Sequence, residues 1–298
     1  LKFQAGVFFI VGIVDNSVMK NDSIEQRPLQ HKKGIYLLPN LFTTAALFAG
    51  FYAIISAING QFSNAAIAIF IAMILDGLDG RVARMTNTES EFGAQYDSLS
   101  DMLSFGMAPA LVVYLWGLST LGKYGWLAAF IYTAAAALRL ARFNTQVGIA
   151  DKRYFQGLPS PASAAVVAGL VWVAVEHGYS GDNLTTQFRV VAAFLTALAG
   201  VLMVSNVRYH SFKDLNLKDR IPFVAMIIMV AVMVLISVDP PQILFFGFLI
   251  YALWGPVFNL VELRKRRAKR LAREVKSNES NKNSNNSNSN PDEKTDHE

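Results

Sequence analysis

The sequence predicts an all-α protein: a polytopic membrane helix bundle of about eight transmembrane helices, with the N- and C-termini in the cytosol. The first observation is composition, because 53% of the 298 residues are hydrophobic and only 16% are charged, which is too apolar for an ordinary soluble domain. The second is a series of long apolar stretches, and the third is an uneven distribution of lysine and arginine between the loops. The absence of cysteine excludes disulfides, thiolate metal sites and thiol catalysis.

Eight stretches approach the roughly 20 apolar residues that a helix needs to cross the hydrocarbon core. Their approximate bounds are 36–58, 63–84, 95–118, 124–145, 160–177, 188–207, 220–238 and 241–261. Lys152 and Arg153 lie between the fourth and fifth stretches, and a basic cluster follows the eighth. The opposite set of loops holds only Lys123 and Arg189 as basic residues. The positive-inside rule therefore places both termini in the cytosol, which requires an even number of spans.

The chain divides into an N-terminal extension and polar lead (1–34), a membrane domain (35–263), and a basic cytosolic segment with a disordered tail (264–298). Residues 3–14 form an apolar run that is too short to span a membrane and lacks a convincing signal-peptide cleavage site. We therefore expect the residues before Met19 to be an upstream extension, with Met19 as a candidate for the true start of the protein. The basic residues after 263 either lie against anionic lipid or flank a stop-transfer segment.

Four carboxylates interrupt the second and third apolar stretches: Asp76, Asp79, Asp97 and Asp101. Ionisable groups at membrane depth are costly, so they indicate a functional site. The first two are three residues apart and the last two are four apart, so each pair lies on one face of a helix. Two such helices would aim all four carboxylates into one cleft. Small residues near these pairs, Gly80 and Gly93, predict a close approach of the two helix backbones.

Hard divalent cations would remove the repulsion between the four acids. Mg²⁺ or Mn²⁺ takes oxygen ligands and often holds a substrate's phosphates. A pair of metals on shared carboxylates suits phosphoryl transfer. In the alternative interpretation, Arg81 and Arg84 neutralise the acids of a structural helix pair, but two cations cannot neutralise four anions. With 1.5 Å per residue, Asp76 lies about 16 Å from the outer end of its span, so the cavity should open to the cytosol.

The motif carries a resemblance to a known family. It reads Asp-x-x-Asp-Gly-x-x-Ala-Arg-x8-Gly-x3-Asp-x3-Asp, from Asp76 to Asp101. This pattern resembles the CDP-alcohol phosphatidyltransferases, and the resemblance covers approximately residues 35–265. Enzymes of that family displace CMP from a CDP-linked lipid with an alcohol and use two divalent metals. The resemblance implies that Asp76, Asp79 and Asp97 are metal ligands, and that Asp101 holds the second metal and accepts a proton.

The same resemblance implies a site for the nucleotide lipid. Gly80 and Arg84 look like the family's contacts to the CDP phosphates, and Ser90 occupies a position that also touches the nucleotide lipid. Pro39 and Asn40 resemble the Pro-Asn pair that opens the family's first helix near the nucleotide.

A second polar region lies in the fourth stretch and in the loop after it. It reads Arg139-Leu-Ala-Arg142-Phe-Asn144-Thr and leads to Phe-Gln-Gly-Leu-Pro-Ser160-Pro-Ala. In one interpretation, the two arginines snorkel to lipid headgroups at a helix end. In the other, an arginine recognises a carboxylate, which its planar fork suits. The region resembles the phosphatidylserine synthase branch, which implies CDP-diacylglycerol and L-serine as substrates. Arg139, Arg142, Asn144 and Ser160 are then the candidate contacts to serine.

Two other functions stay open. A sister enzyme would use glycerol 3-phosphate, inositol phosphate or choline, although a phosphate-bearing acceptor should need a denser cationic pocket than two arginines provide. A cation transporter would need polar residues along several spans, and the last three spans offer almost none. We expect a protein of the cell (inner) membrane, and the predicted topology makes its active site face the cytoplasm. We also expect contact with membrane lipid and no nucleic-acid partner, and the resemblance implies a homodimer.

Overall fold

The computed structural model describes residues 37–146, 154–210 and 223–259, together with residues 261, 264 and 267. Eight helices account for most of these residues, and each overlaps one of the eight predicted stretches. They are α1 (Leu37–Ile58), α2 (Phe62–Thr86), α3 (Glu91–Leu121), α4 (Lys123–Gln146), α5 (Ser160–Glu176), α6 (Thr186–Val204), α7 (Phe223–Val238) and α8 (Pro240–Asn259). The prediction of an all-α fold is confirmed.

Five of these helices, α1, α3, α4, α6 and α8, are long and apolar enough to cross a membrane. Of the others, α5 has 17 residues and α7 has 16, and α2 carries the charged residues of the motif in its second half. The protein is an integral membrane helix bundle. The count of eight spans and the cytosolic termini stay predictions. The predicted segment 1–34 and most of 264–298 lie outside the described residues.

Helix α3 carries two of the four acids and departs from regular α geometry directly after them. Its α-helical start ends at Asp101, and π-helical turns occupy Met102–Met107 and Tyr114–Leu118. Pro109 lies between these turns and has no N–H to donate to the carbonyl of Phe105, four residues earlier. The hydroxyl of Tyr132 on α4 donates to that carbonyl instead, at 2.9 Å. The irregular part of α3 is therefore held by a side chain from the neighbouring helix.

Close approaches between helices occur at glycines other than those predicted. A Cβ built on Gly50 of α1 would lie 2.8 Å from the Cα of Ser104 on α3, so these backbones pack directly. Within the described part of the chain, a Cβ on Gly80 would meet only the guanidinium of Arg84, at 3.9 Å. The prediction of a close helix contact at Gly80 is therefore wrong. Gly93 has nearer neighbours, the side chains of Ser90 at 3.1 Å and Asn40 at 3.5 Å.

A short antiparallel ribbon, which the sequence pattern did not predict, joins two loops. Strand β1 (Tyr154–Gln156) pairs with β2 (Arg208–His210), and Phe155 lies opposite Tyr209. Tyr209 is buried, and its hydroxyl donates to the carbonyl of Ala252 on α8 at 2.9 Å. The next turn depends on Gly157, which adopts a φ of +81° and donates its N–H to the carbonyl of Val207 at 2.8 Å. This ribbon holds the loop before α5 against the loop after α6.

Candidate active site

Three of the four motif aspartates converge between α2 and α3. Asp76 comes from α2, while Asp97 and Asp101 lie one turn apart on α3 and therefore share a face of that helix. One carboxylate oxygen from each residue lies within 4.8 Å of the others. All three residues are half-buried, so little water separates their charges. Such a cluster repels itself unless cations or protons neutralise it.

The oxygens of this cluster fit a divalent cation. Oδ1 of Asp97 is buried and has no hydrogen-bond partner among the residues that the structure describes. A buried oxygen with unused lone pairs is costly unless a bound group uses them. Carboxylate oxygens are ligands that Mg²⁺ and Mn²⁺ prefer. The donor set of Asp76, Asp97 and Asp101 is therefore suited to a hard cation.

Asp79 lies beside the three-acid cluster and is held by another helix. It is only 5% exposed, and its Oδ2 accepts a hydrogen bond from Oγ1 of Thr43 on α1 at 2.8 Å. Its carboxyl group interacts electrostatically with those of Asp76 and Asp97. The sequence predicted one cleft for all four acids. The structure brings three together and places the fourth next to them, against α1.

Arg139 of α4 lies close enough to the acidic cluster to interact with it. Its guanidinium interacts electrostatically with the carboxyl group of Asp101. Nη1 of Arg139 donates to Oγ of Ser160, the first residue of α5, at 2.6 Å. Its Nε is buried and has no hydrogen-bond partner within the described part of the chain. The guanidinium that interacts with Asp101 therefore has a buried N–H with no partner among the described residues.

Arg142 and Asn144, the other candidates on α4, have structural partners. Nη1 of Arg142 donates to the carbonyl of Val204 at 3.0 Å, at the end of α6. Asn144 and Ser98 share a hydrogen bond, with Nδ2 of Asn144 3.0 Å from Oγ of Ser98. Ser98 directly follows Asp97, so this pair ties the end of α4 to the acidic turn of α3. The structure thus pairs Arg139 with Ser160, while Arg142 binds the end of α6.

The residues predicted for the nucleotide lie around the starts of α1 and α3. Pro39 is buried and Asn40 is half-buried in the first turn of α1. Oγ of Ser90 accepts a hydrogen bond from the N–H of Gly93 at 3.0 Å and so caps α3. The Asn40 side chain lies close to Gly93. Pro39 and Asn40 of α1 therefore adjoin the cap that Ser90 forms on α3.

The remaining nucleotide candidates lie on an open face of α2. Among the described residues, a Cβ on Gly77 would meet no atom within 4 Å, and one on Gly80 would meet only Arg84. Arg84 is exposed. Glycines at both positions leave the helix backbone accessible beside the acids, with a cation one turn away. Such a surface can accept a phosphate group.

Sequence reasoning missed the short polar side chains that connect these elements. Thr43 contacts Asp79, and its carbonyl accepts a hydrogen bond from Oγ of Ser100 at 3.2 Å. The hydroxyl of Thr44 lies 3.0 Å from that of Tyr96, the residue before Asp97. One signal was available, because two threonines interrupt the apolar pattern of α1 just after Pro39 and Asn40.

Sequence comparisons with known proteins bear on the family of this chain. The family model for CDP-alcohol phosphatidyltransferase matches residues 36–205. A CDP-diacylglycerol–serine O-phosphatidyltransferase of Helicobacter pylori (strain ATCC 700392 / 26695) is 35% identical over 229 residues, which is 77% of this chain and 94% of that protein. A protein of the same name from Mycobacterium leprae is 35% identical, with 68% of each chain covered. One from Saccharomyces cerevisiae is 37% identical over 46% of this chain and 54% of its own. The chain belongs to the CDP-alcohol phosphatidyltransferase family.

Proposed function

We propose that this protein is a phosphatidylserine synthase, which transfers the phosphatidyl group of CDP-diacylglycerol to the hydroxyl of L-serine and releases CMP. The relatives named for this activity in bacteria and yeast support it. The observation that carries the proposal is the placement of Arg139 and Ser160 beside the acidic cluster. A carboxylate-binding cation near a general base is what a serine acceptor needs.

Enzymes of this family generally use divalent metals, and the acidic cluster fits them. We infer that two ions, Mg²⁺ or Mn²⁺, are held by Asp76, Asp79, Asp97 and Asp101. When bound, such ions stabilise the negative charge that develops on the diphosphate and on the departing CMP. By holding these ions, the four acids would set where the diphosphate binds relative to the serine hydroxyl.

Asp101 is the residue proposed to accept the proton. Serine's hydroxyl proton moves to the Asp101 carboxylate as the serine oxygen attacks the phosphorus on the lipid side. The bond from that phosphorus to the bridging oxygen breaks, and CMP leaves with the bridging oxygen. Half-burial of Asp101 among three helices limits competition from water.

Arg139 is proposed to bind the serine carboxylate. Its Nη1 is oriented by Ser160, which leaves the buried Nε–H without a partner in the described residues. Arginine recognises carboxylates with two parallel N–H groups. Arg142 and Asn144 are less suited to this role, because they already bind Val204 and Ser98. They are retained as second candidates.

The nucleotide part of CDP-diacylglycerol is proposed to lie between the starts of α1 and α3 and the open face of α2. Asn40, Pro39 and Ser90 adjoin there, and Gly80 with Arg84 would meet the phosphates. The lysines and arginines of the loops that the positive-inside rule assigns to the cytosol support a site that faces the cytoplasm from the inner membrane. A homodimer is part of the same proposal by family resemblance.

A panel of alcohols tests the proposal. The purified protein, in micelles that contain CDP-diacylglycerol and Mg²⁺ or Mn²⁺, should release CMP with L-serine. It should release little CMP with glycerol 3-phosphate, inositol phosphate or choline. Release with one of these alcohols and not with serine would identify a sister enzyme. No release with any alcohol would contradict transferase activity.

A further inference from the structure

We propose that Thr43 is a positioning residue for the acidic site, because its hydroxyl sets the orientation of the Asp79 carboxylate. The proposal rests on the proposed function, since it treats Asp79 as a ligand of a divalent cation. Thr43 lies on α1, outside the motif that carries the four acids.

The hydrogen bond between the two residues is buried at both ends. Thr43 is 4% exposed and Asp79 is 5% exposed. Oγ1 of Thr43 lies 2.8 Å from Oδ2 of Asp79 and 3.2 Å from the carbonyl oxygen of Pro39. A hydroxyl has one proton to donate, and the shorter, charge-assisted bond to the carboxylate is the stronger of the two. This bond therefore engages Oδ2 and restricts rotation of the carboxylate, while Oδ1 takes no part in the bond to Thr43.

Thr43 also connects the helices that carry the acids. Its carbonyl accepts a hydrogen bond from Oγ of Ser100 at 3.2 Å, and Ser100 directly precedes Asp101. One residue of α1 is thus bonded to the acid-bearing turns of both α2 and α3. This link contributes to the position of Asp79 relative to Asp101.

Another threonine shows what a purely structural role looks like. Thr196 on α6 is fully buried, and its one hydroxyl partner among the described residues is the carbonyl of Ala192, four residues earlier, at 2.8 Å. Thr43 has an equivalent backbone carbonyl within reach, that of Pro39, but lies closer to a carboxylate. Replacing either threonine by valine removes a buried hydroxyl and keeps the shape. Thr196→Val is therefore a matched control for Thr43→Val.

The expected effect follows from the role of groups that orient metal ligands. Their loss typically weakens metal binding about ten- to a hundred-fold, because the ligand must be reoriented when the ion binds. We therefore expect Thr43→Val to weaken Mn²⁺ binding about ten- to a hundred-fold. Thr43→Ser retains the hydroxyl and should bind Mn²⁺ nearly as the unmodified protein does. Thr196→Val should also bind normally.

The test measures Mn²⁺ binding to the full chain in detergent, without lipid substrate, from the electron paramagnetic resonance signal of free Mn²⁺. Thermal unfolding in the same detergent shows which variants fold. If Thr43→Val does not fold, Thr43→Ala takes its place, because it removes the same hydroxyl without placing a methyl group against the carboxylate.

The possible results separate the two proposals. If the unmodified protein shows no saturable Mn²⁺ binding, the metal site of the proposed function is wrong. If it binds Mn²⁺ and Thr43→Val binds as tightly, the positioning role is overturned. The role is also overturned if Thr43→Ser is as weak as Thr43→Val, or if Thr196→Val is equally weakened.

Discussion

Replacing Arg139 by lysine tests whether this arginine recognises the carboxylate of serine. Lysine keeps the charge near Asp101 but loses the planar group whose Nη1 binds Ser160 and whose Nε is buried. A hydrogen bond between charged groups typically contributes about 1.5–3 kcal/mol. Loss of one such bond should therefore raise the KM for serine roughly ten- to a hundred-fold. The KM for CDP-diacylglycerol should stay nearly unchanged.

The assay measures CMP release with serine varied at saturating lipid, and then with lipid varied at saturating serine. Arg142→Lys is the matched comparison, since Arg142 lies three residues later on α4 and binds the Val204 carbonyl. We expect it to raise the KM for serine less than Arg139→Lys does. A larger rise for Arg142→Lys would move the serine contact to that residue. A rise in the KM for the lipid alone would assign Arg139 to the phosphates, and no change in either would refute the reasoning.

Three further predictions concern the metal site and the fold. Asp79→Asn keeps the shape of the side chain but removes a ligand charge, so CMP release should fall by orders of magnitude while membrane insertion is retained. Asp239→Asn, at the start of α8, is the control. Full activity of Asp79→Asn would contradict the two-metal site. Chelation of divalent cations should abolish CMP release, and added Mg²⁺ or Mn²⁺ should restore it; activity that persists in excess chelator would contradict the metal requirement. Tyr132→Phe removes the hydrogen bond to the Phe105 carbonyl and should lower the free energy of unfolding by about 1–3 kcal/mol. Tyr124→Phe, at an exposed position, should leave the free energy of unfolding unchanged. Thermal unfolding compares the two variants, and equal stability would show that the Tyr132 hydrogen bond does not hold α3.

The helices were predictable because a membrane span leaves a long apolar stretch in the sequence. The helix boundaries were less predictable, because they depend on local caps. Helix α3 begins at Glu91, before the predicted residue 95, since Ser90 caps a polar first turn that the apolar pattern does not include. The β1–β2 ribbon was not predictable. Each strand has three residues, too few for an alternating pattern, and its partner is distant in the sequence.

The site was predictable within each helix but not between helices. Spacing of three or four residues shows which acids share a helix face. It does not show that Asp76, rather than Asp79, meets the acids of α3. That choice depends on how α1, α2 and α3 pack, which the contact between Gly50 and Ser104 helps to set. The same limit applies to Arg139 and Arg142, which are three residues apart but bind different helices.

The central claim is that the serine oxygen attacks the phosphorus on the lipid side of CDP-diacylglycerol. Serine labelled with ¹⁸O in its hydroxyl group tests it directly, with the products analysed by mass spectrometry. The account predicts that the label appears in phosphatidylserine and that CMP is unlabelled. Label in a cytidylylated serine, or phosphatidylserine without label, would contradict it.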